Sequence, residues 1–222
     1  MIAEVNGIRL FYEKSGQGRP LVMVHGNGED HTIFDEAVRE LKGKYACYCL
    51  DSRCHGASSD TAELHYRDMA TDVILFIKAL GLKDVIFYGF SDGGIVGLMA
   101  AAQCSAITTL IVSGANTGPK AVKLRLRLLI GAAYLRKKDK MLALMLREPD
   151  ITDEELKSIR ASTLVLAGSR DLIPEKETRH IAALIPGAEL QILKGEDHGS
   201  YIVHSTKIAG LIRDFARSTK EE

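Results

Sequence analysis

Ser91 stands in the run Gly89-Phe90-Ser91-Asp92-Gly93-Gly94, directly after the apolar residues Val85-Ile86-Phe87-Tyr88 and before Ile95-Val96-Gly97-Leu98. A G-x-S-x-G sequence at a strand-to-helix junction makes a sharp turn that holds the serine hydroxyl clear of the strand end, where a nucleophile has to be. Gly89 and Gly93 lack the Cβ atoms that would collide across so tight a turn. Serine is a poor nucleophile until a base takes its proton, and that base needs an acceptor to hold one tautomer. Of the seven histidines, His198 is the candidate base, in the polar loop Gly195-Glu196-Asp197-His198-Gly199 between the last strand and the last helix. Asp171 is the candidate acid: it follows the apolar run 163–167 and precedes Leu172-Ile173-Pro174, so it is a carboxylate at a strand end. Its competing role is to cap the helix that follows. Asp197 is set aside because adjacent side chains on a loop rarely face each other, and Asn116 because it carries no charge. A tetrahedral oxyanion requires two N–H groups aimed at one point. Asp92, opening the helix after the nucleophile, offers one, and Asn27 in His25-Gly26-Asn27-Gly28 offers the other.

These residues need a scaffold that brings loop ends together. Two short strands, residues 2–5 and 8–13, flank Asn6-Gly7, a strong hairpin signal. Apolar runs at 21–24, 45–50, 85–88, 109–112 and 163–167 have strand length, as strands buried in a sheet do, and 190–193 reads as the last strand. Between them lie helical stretches: 32–41, with Thr32 as N-cap; 66–80, striped at spacings of three and four and closed by Gly81; and the segment after Ser91. Ile202, Val203, Ile208, Leu211, Ile212 and Phe215 stripe a last helix. This alternation means a mainly parallel sheet with helices on both faces, whose ligand site lies at the carboxyl ends of the strands. Each residue singled out above follows a predicted strand. The alternation breaks once, at about residues 116–161, where the sequence is helical throughout. The expectation is one domain over residues 1–222, with this stretch inserted as a short cap over the pocket.

With these pieces in place, the sequence resembles the α/β-hydrolase superfamily over nearly its whole length. The chain order Ser91, Asp171, His198 is the family's order of nucleophile, acid and base. His25-Gly26 is similar to its oxyanion-loop motif, and Asp51-Ser52-Arg53-Cys54-His55-Gly56-Ala57-Ser58 to its D-x-R-G-H-G-x-S loop, with Cys54 in place of a glycine. The resemblance implies two-step acyl transfer: Ser91 attacks a carbonyl, His198 acts as base, Asp171 orients it, and the Asn27 and Asp92 amides hold the oxyanion. It implies no metal or organic cofactor. Family members that cleave carbon–halogen bonds or epoxides carry aspartate at the nucleophile position, so Ser91 argues against both. It leaves esterase, thioesterase, amidase and lactonase, with an ester or related acyl bond the expectation. The short insertion implies a partly open site for small or medium acyl groups. The Ser-Asp-Gly-Gly elbow is also similar to that of small esterases that cleave amino-acid esters. Carbon–carbon bond hydrolysis, cofactor-free perhydrolysis or halogenation, and a ligand-binding receptor with little turnover are the competing readings.

Bulk composition sets the outer limits. Lys+Arg and Asp+Glu number 29 each in 222 residues, so nothing global points to nucleic acid. No secretory leader or bilayer-length apolar run is visible, which leads to the expectation of a cytoplasmic protein without stable membrane insertion. The four cysteines contain no C-x-x-C pair and read as structural thiols. Charge is uneven locally: from Lys120 to Arg147 nine basic residues face Asp139 alone, beside the apolar residues Val122, Leu126, Leu129, Ile130 and Ala133. This segment reads either as a solvated basic face or as a lid attracting acidic substrates or an anionic membrane surface.

Overall fold

The structure, a computed structural model, describes residues 1–218, so residues 219–222 of the expected unit lie outside the described residues. Strands β1 (Ile2–Val5) and β2 (Ile8–Ser15) form the hairpin, with Asn6 (φ 49°) and Gly7 (φ 74°) both left-handed as a tight two-residue turn requires. β2 runs antiparallel to β4 (Tyr45–Leu50). From β4 onward the sheet is parallel, through β3 (Arg19–Val24), β5 (Val85–Phe90), β6 (Ile107–Ser113), β7 (Ser162–Gly168) and β8 (Glu189–Leu193). The spatial order is β1-β2-β4-β3-β5-β6-β7-β8. Because the chain leaves β3 toward β4 and then returns to β5 on its other side, the loops after β3 and β5 diverge and leave a crevice at the carboxyl ends of these strands. The His25–Gly28 loop and the Ser91 turn border that crevice.

Alternate residues of the central strands enter two separate cores. Leu21, Met23, Tyr88 and Ile111 pack with α1 (Asp35–Leu41) and α8 (Lys207–Ser218) on one face of the sheet. Val22, Val24, Phe87 and Leu110 pack with α2 (Tyr66–Ala79) and α3 (Asp92–Ala101) on the other, joined by α7 (Glu175–Leu184). This two-sided burial explains the unbroken apolar runs in the sequence. Cys47 and Cys49 share one core as small apolar residues, and all four thiols are free.

Between β6 and β7 lie α4 (Leu124–Lys137), α5 (Lys140–Arg147) and α6 (Asp153–Ser158), with no strand among the described residues. Asp139 caps α5 through the Met141 and Leu142 amides, and Thr152 with Glu155 forms a capping box on α6. Helix α4 has no side-chain cap.

Some boundaries move. The helix expected from residue 32 begins as a 3-10 turn, His31–Phe34, capped by Asp30 rather than Thr32; the Asp30 carboxylate accepts the Thr32 N–H at 2.9 Å. Ile202 and Val203 lie in turns ahead of α8; Ile202 is buried in the same core the helix faces, so the apolar stripe in the sequence runs longer than the helix. No helix among the described residues is long and apolar enough to cross a membrane.

Candidate active site

Ser91 carries φ 51° and ψ −114°, a backbone conformation that costs a non-glycine residue on the order of 1–3 kcal/mol and that the surroundings must impose. They do so through two amides: Ser91 N–H donates to Ser113 O at 2.7 Å and Gly93 N–H to His25 O at 3.0 Å, clamping the turn between β6 and the end of β3. The spacing of the glycines follows from close approach. A Cβ at Gly89 would lie 2.1 Å from Gly93 O, and one at Gly93 would lie 2.0 Å from Val24 O.

The three residues expected to act together meet in space although 107 positions separate Ser91 from His198. His198 Nε2 lies 3.0 Å from Ser91 Oγ, and His198 Nδ1 lies 2.6 Å from Asp171 Oδ1. Asp171 is buried and also accepts the Ile173 N–H at 2.9 Å, so it caps the local turn and orients the imidazole at once. Asp197 turns away, accepting the Gly199 and Ser200 amides. Phe90, inside the elbow motif, packs its ring 5.0 Å from the His198 ring.

The facing wall of the crevice, which carries Asn27, is organised by His25. Its Nδ1 lies 2.7 Å from Gly26 O and its Nε2 accepts the Ser52 N–H at 3.1 Å, which assigns the neutral ring with the proton on Nδ1. Burial pushes the His25 pKa down to about 4, against the pull of the Gly26 carbonyl. With the Gly26 carbonyl held by His25, the trans peptide points the Asn27 N–H the opposite way. Among the described residues neither the Asn27 nor the Asp92 N–H donates to a protein acceptor. The Asn27 side chain donates to Asp92 Oδ2 at 2.9 Å, so the two segments bearing these amides are tied to each other. Burial raises the Asp92 carboxyl, with hydrogen bonds from Asn27 and the Tyr66 hydroxyl opposing.

Sequence reasoning missed three contributors. Half-buried Glu29 accepts the Gly26 N–H at 2.9 Å, and burial raises its carboxyl; an acid in a loop gives no periodic signal. Gly114 (φ 63°) leaves no room for a side chain, since a Cβ would sit 2.7 Å from His198 Cε1; its place just past a parallel strand was the available clue. Lys123, at the start of α4, donates its ammonium to Asp171 O and ties the cap to the acid loop. The 51–58 loop is scaffolding: Arg53 grips Asp72 through two hydrogen bonds of 2.6 and 2.7 Å, and Cys54 adopts the left-handed φ of 65° that a glycine would take without strain.

Ser91 and His198 open into a narrow cleft of about 40 Å³ that is continuous with solvent. Val122, Leu126, Met145, Pro149, Leu172 and Ile173 supply apolar walls, and Tyr66, Asp92, Asn116 and Glu148 the polar ones. Other hollows, over Glu13–Cys49 and beside Ala101–Cys104, do not include Ser91. Donor atoms of Asp30, His31 and Asp51 lie within 4.8 Å of one another, the one such cluster among the described residues. Both aspartates already accept backbone amides, so the cluster is satisfied without an ion.

Comparison with known proteins places these features. The model of the alpha/beta hydrolase family matches residues 21–210. The chain is 27% identical to mouse (Mus musculus) serine hydrolase BPHL over 95% of its length and 84% of that protein's. In structure it is similar to a meta-cleavage product hydrolase from Pseudomonas fluorescens IP01 (TM-score 0.84, 18% identity, 99% of this chain and 98% of that one). It is likewise similar to a bromoperoxidase from Bacillus anthracis (TM-score 0.86, 18% identity, 98% and 99%). The elbow, the parallel sheet that carries it and the family match agree: the chain belongs to the alpha/beta hydrolase family of enzymes.

Proposed function

We propose that the protein is a serine hydrolase that cleaves an ester or related acyl bond of a small or medium substrate through an acyl-enzyme. Ser91 attacks the carbonyl while His198 Nε2 takes its proton. Asp171 keeps the imidazole in the tautomer that can accept that proton and stabilises the imidazolium that forms. The developing oxyanion is held by the Asn27 and Asp92 amides. His198 then protonates the leaving group, and a water activated by the same nitrogen releases the acid. Each step is carried by a side chain or backbone amide of this chain.

The observation that carries this reading is the continuous hydrogen-bonded row Asp171–His198–Ser91, with distances of 2.6 and 3.0 Å, ending on a strained serine that faces a cleft. The apolar walls suit an acyl chain, and the limited cleft volume suits a short one. A panel of p-nitrophenyl esters of increasing acyl length tests it. The wild type is expected to hydrolyse the shorter members, with kcat/KM passing through a maximum, and Ser91→Ala to be inactive on all. Turnover that survives Ser91→Ala, or halogenation dependent on peroxide with no ester cleavage, would refute the assignment.

A further inference from the structure

We propose that the cap helix α4 is a docking surface for anionic lipid bilayers, which it meets lying flat with an exposed leucine ridge. Leu124, Leu128 and Leu135 are 64, 65 and 70% exposed. Spaced four and seven residues apart, they fall on one stripe along a 14-residue helix about 21 Å long. Leu129, 60% exposed, lies off their line on the side of Arg125 and Arg136 rather than with the inward-facing Leu126 and Ile130. Arg125 and Arg136 follow one edge of the stripe and Arg127 the other. The opposite face carries buried Ile130 and the cleft-lining Leu126, so the apolar ridge is additional to the face α4 needs for folding. Exposing three large apolar side chains in a row has a cost in water that a covering surface removes.

Charge identifies the occupant. The segment 120–147 holds nine basic and one acidic residue in a chain with 29 of each, leaving 20 basic and 28 acidic elsewhere. The molecule is therefore strongly polarised although neutral overall, and in the field of a negative surface it turns its cap toward that surface. Among the described residues the one ion pair made from this segment is Lys140 with Asp60, so most of its cations remain available. The first turn of α4 holds no acidic residue and no side-chain cap, and Arg125 and Arg127 occupy the end where the helix dipole favours anions. Anionic headgroups would relieve that mismatch. A second copy of the chain would bring basic face against basic face. The convex ridge also offers no pocket and no exposed aromatic anchor of the kind that dominates protein interfaces. A flat, apolar-centred and cation-edged helix is the geometry of in-plane bilayer binding. Since Val122 and Leu126 line the catalytic cleft, docking would set its mouth at the lipid surface.

Vesicle sedimentation tests this without reference to catalysis. The full chain is mixed with phosphatidylglycerol-containing or pure phosphatidylcholine vesicles at low and at high salt. The wild type is expected in the pellet only with the anionic vesicles, and less so at high salt. The triple variant L124S/L128S/L135S is expected to lose about 100-fold in partitioning, and R125Q/R136Q about 30-fold. Both should keep the wild-type thermal transition, because these side chains face solvent. Wild type that stays in the supernatant with both vesicles, or a triple leucine variant that pellets like wild type, overturns the proposal. So does a solution dimer split by the leucine changes, or capture by an acidic protein with no vesicle binding.

Discussion

Gly114→Ala converts an inconspicuous glycine into a probe of the base. A Cβ there would lie 2.7 Å from His198 Cε1, 2.9 Å from Nδ1 and 3.6 Å from Asp171 Oδ2. Ordinary contact starts near 3.4 Å, so the imidazole has to retreat by about 0.7 Å. The backbone of Gly114 cannot give way, because its N–H is bonded to Leu166 O at 3.0 Å. The ring therefore moves and opens the 2.6 Å bond to Asp171, the 3.0 Å bond to Ser91, or both. A displacement approaching 1 Å costs about 100-fold in rate. Alanine at φ 63° adds a stability cost of about 1 kcal/mol, too little to unfold a domain of ordinary stability. Steady-state kinetics on a short p-nitrophenyl ester, with a urea titration alongside, reads both. The expected result is kcat lowered about 100-fold with KM little changed, since the cleft walls are untouched. A variant with wild-type kcat, or one that raises KM alone, would refute the reasoning.

Three further outcomes follow from the same geometry. Asp171→Asn keeps the packing but supplies an amide that no longer fixes the imidazole tautomer, so kcat should fall about 10³–10⁴-fold with folding intact, read by kinetics and circular dichroism. His25 is held neutral, with its pKa pushed down to about 4 against an ordinary 6.5. Between these values the unfolded chain binds the extra proton, so the contribution is intact above pH 6.5 and lost as pH falls toward 4. The loss is about 3 kcal/mol, and denaturant titrations across that range should show a steeper decline for wild type than for His25→Leu. Gly210→Ala in α8, where a Cβ meets nothing within 4 Å, should raise stability by about 0.5–1 kcal/mol in a urea titration and leave kcat unchanged.

Ser91, Asp171 and His198 were legible because each stands in the loop just past a predicted strand, buried and apolar for Ser91 and Asp171 and a half-exposed edge strand for His198, a pattern that local sequence displays. Ser91, Asp171 and His198 all sit where parallel strands end, and the fold brings strand ends together regardless of distance along the chain. The supporting residues were not legible for the complementary reason. Glu29 matters because burial places its carboxylate on the Gly26 amide, and Gly114 because a histidine 84 positions later occupies the space its side chain would need. Such roles exist only after packing. Boundaries failed where apolar residues extended a stripe without extending the helix, as at Ile202, and where a turn preceded the helix, as at Asp30. Polarity along the cap was readable, but which leucines of α4 face solvent was not. Periodicity alone places Leu126 and Leu128 on different faces without saying which face the sheet covers.

Covalent capture of the nucleophile is the most direct test. The protein is treated with a fluorophosphonate, digested, and its modified peptide identified by mass spectrometry. A single adduct on Ser91 is expected, absent in Ser91→Ala and strongly slowed in His198→Ala, because proton removal by the imidazole is what makes that hydroxyl reactive. Wild-type protein that remains unmodified, or an adduct on any other residue with Ser91 untouched, would contradict the assignment of Ser91 as an activated nucleophile.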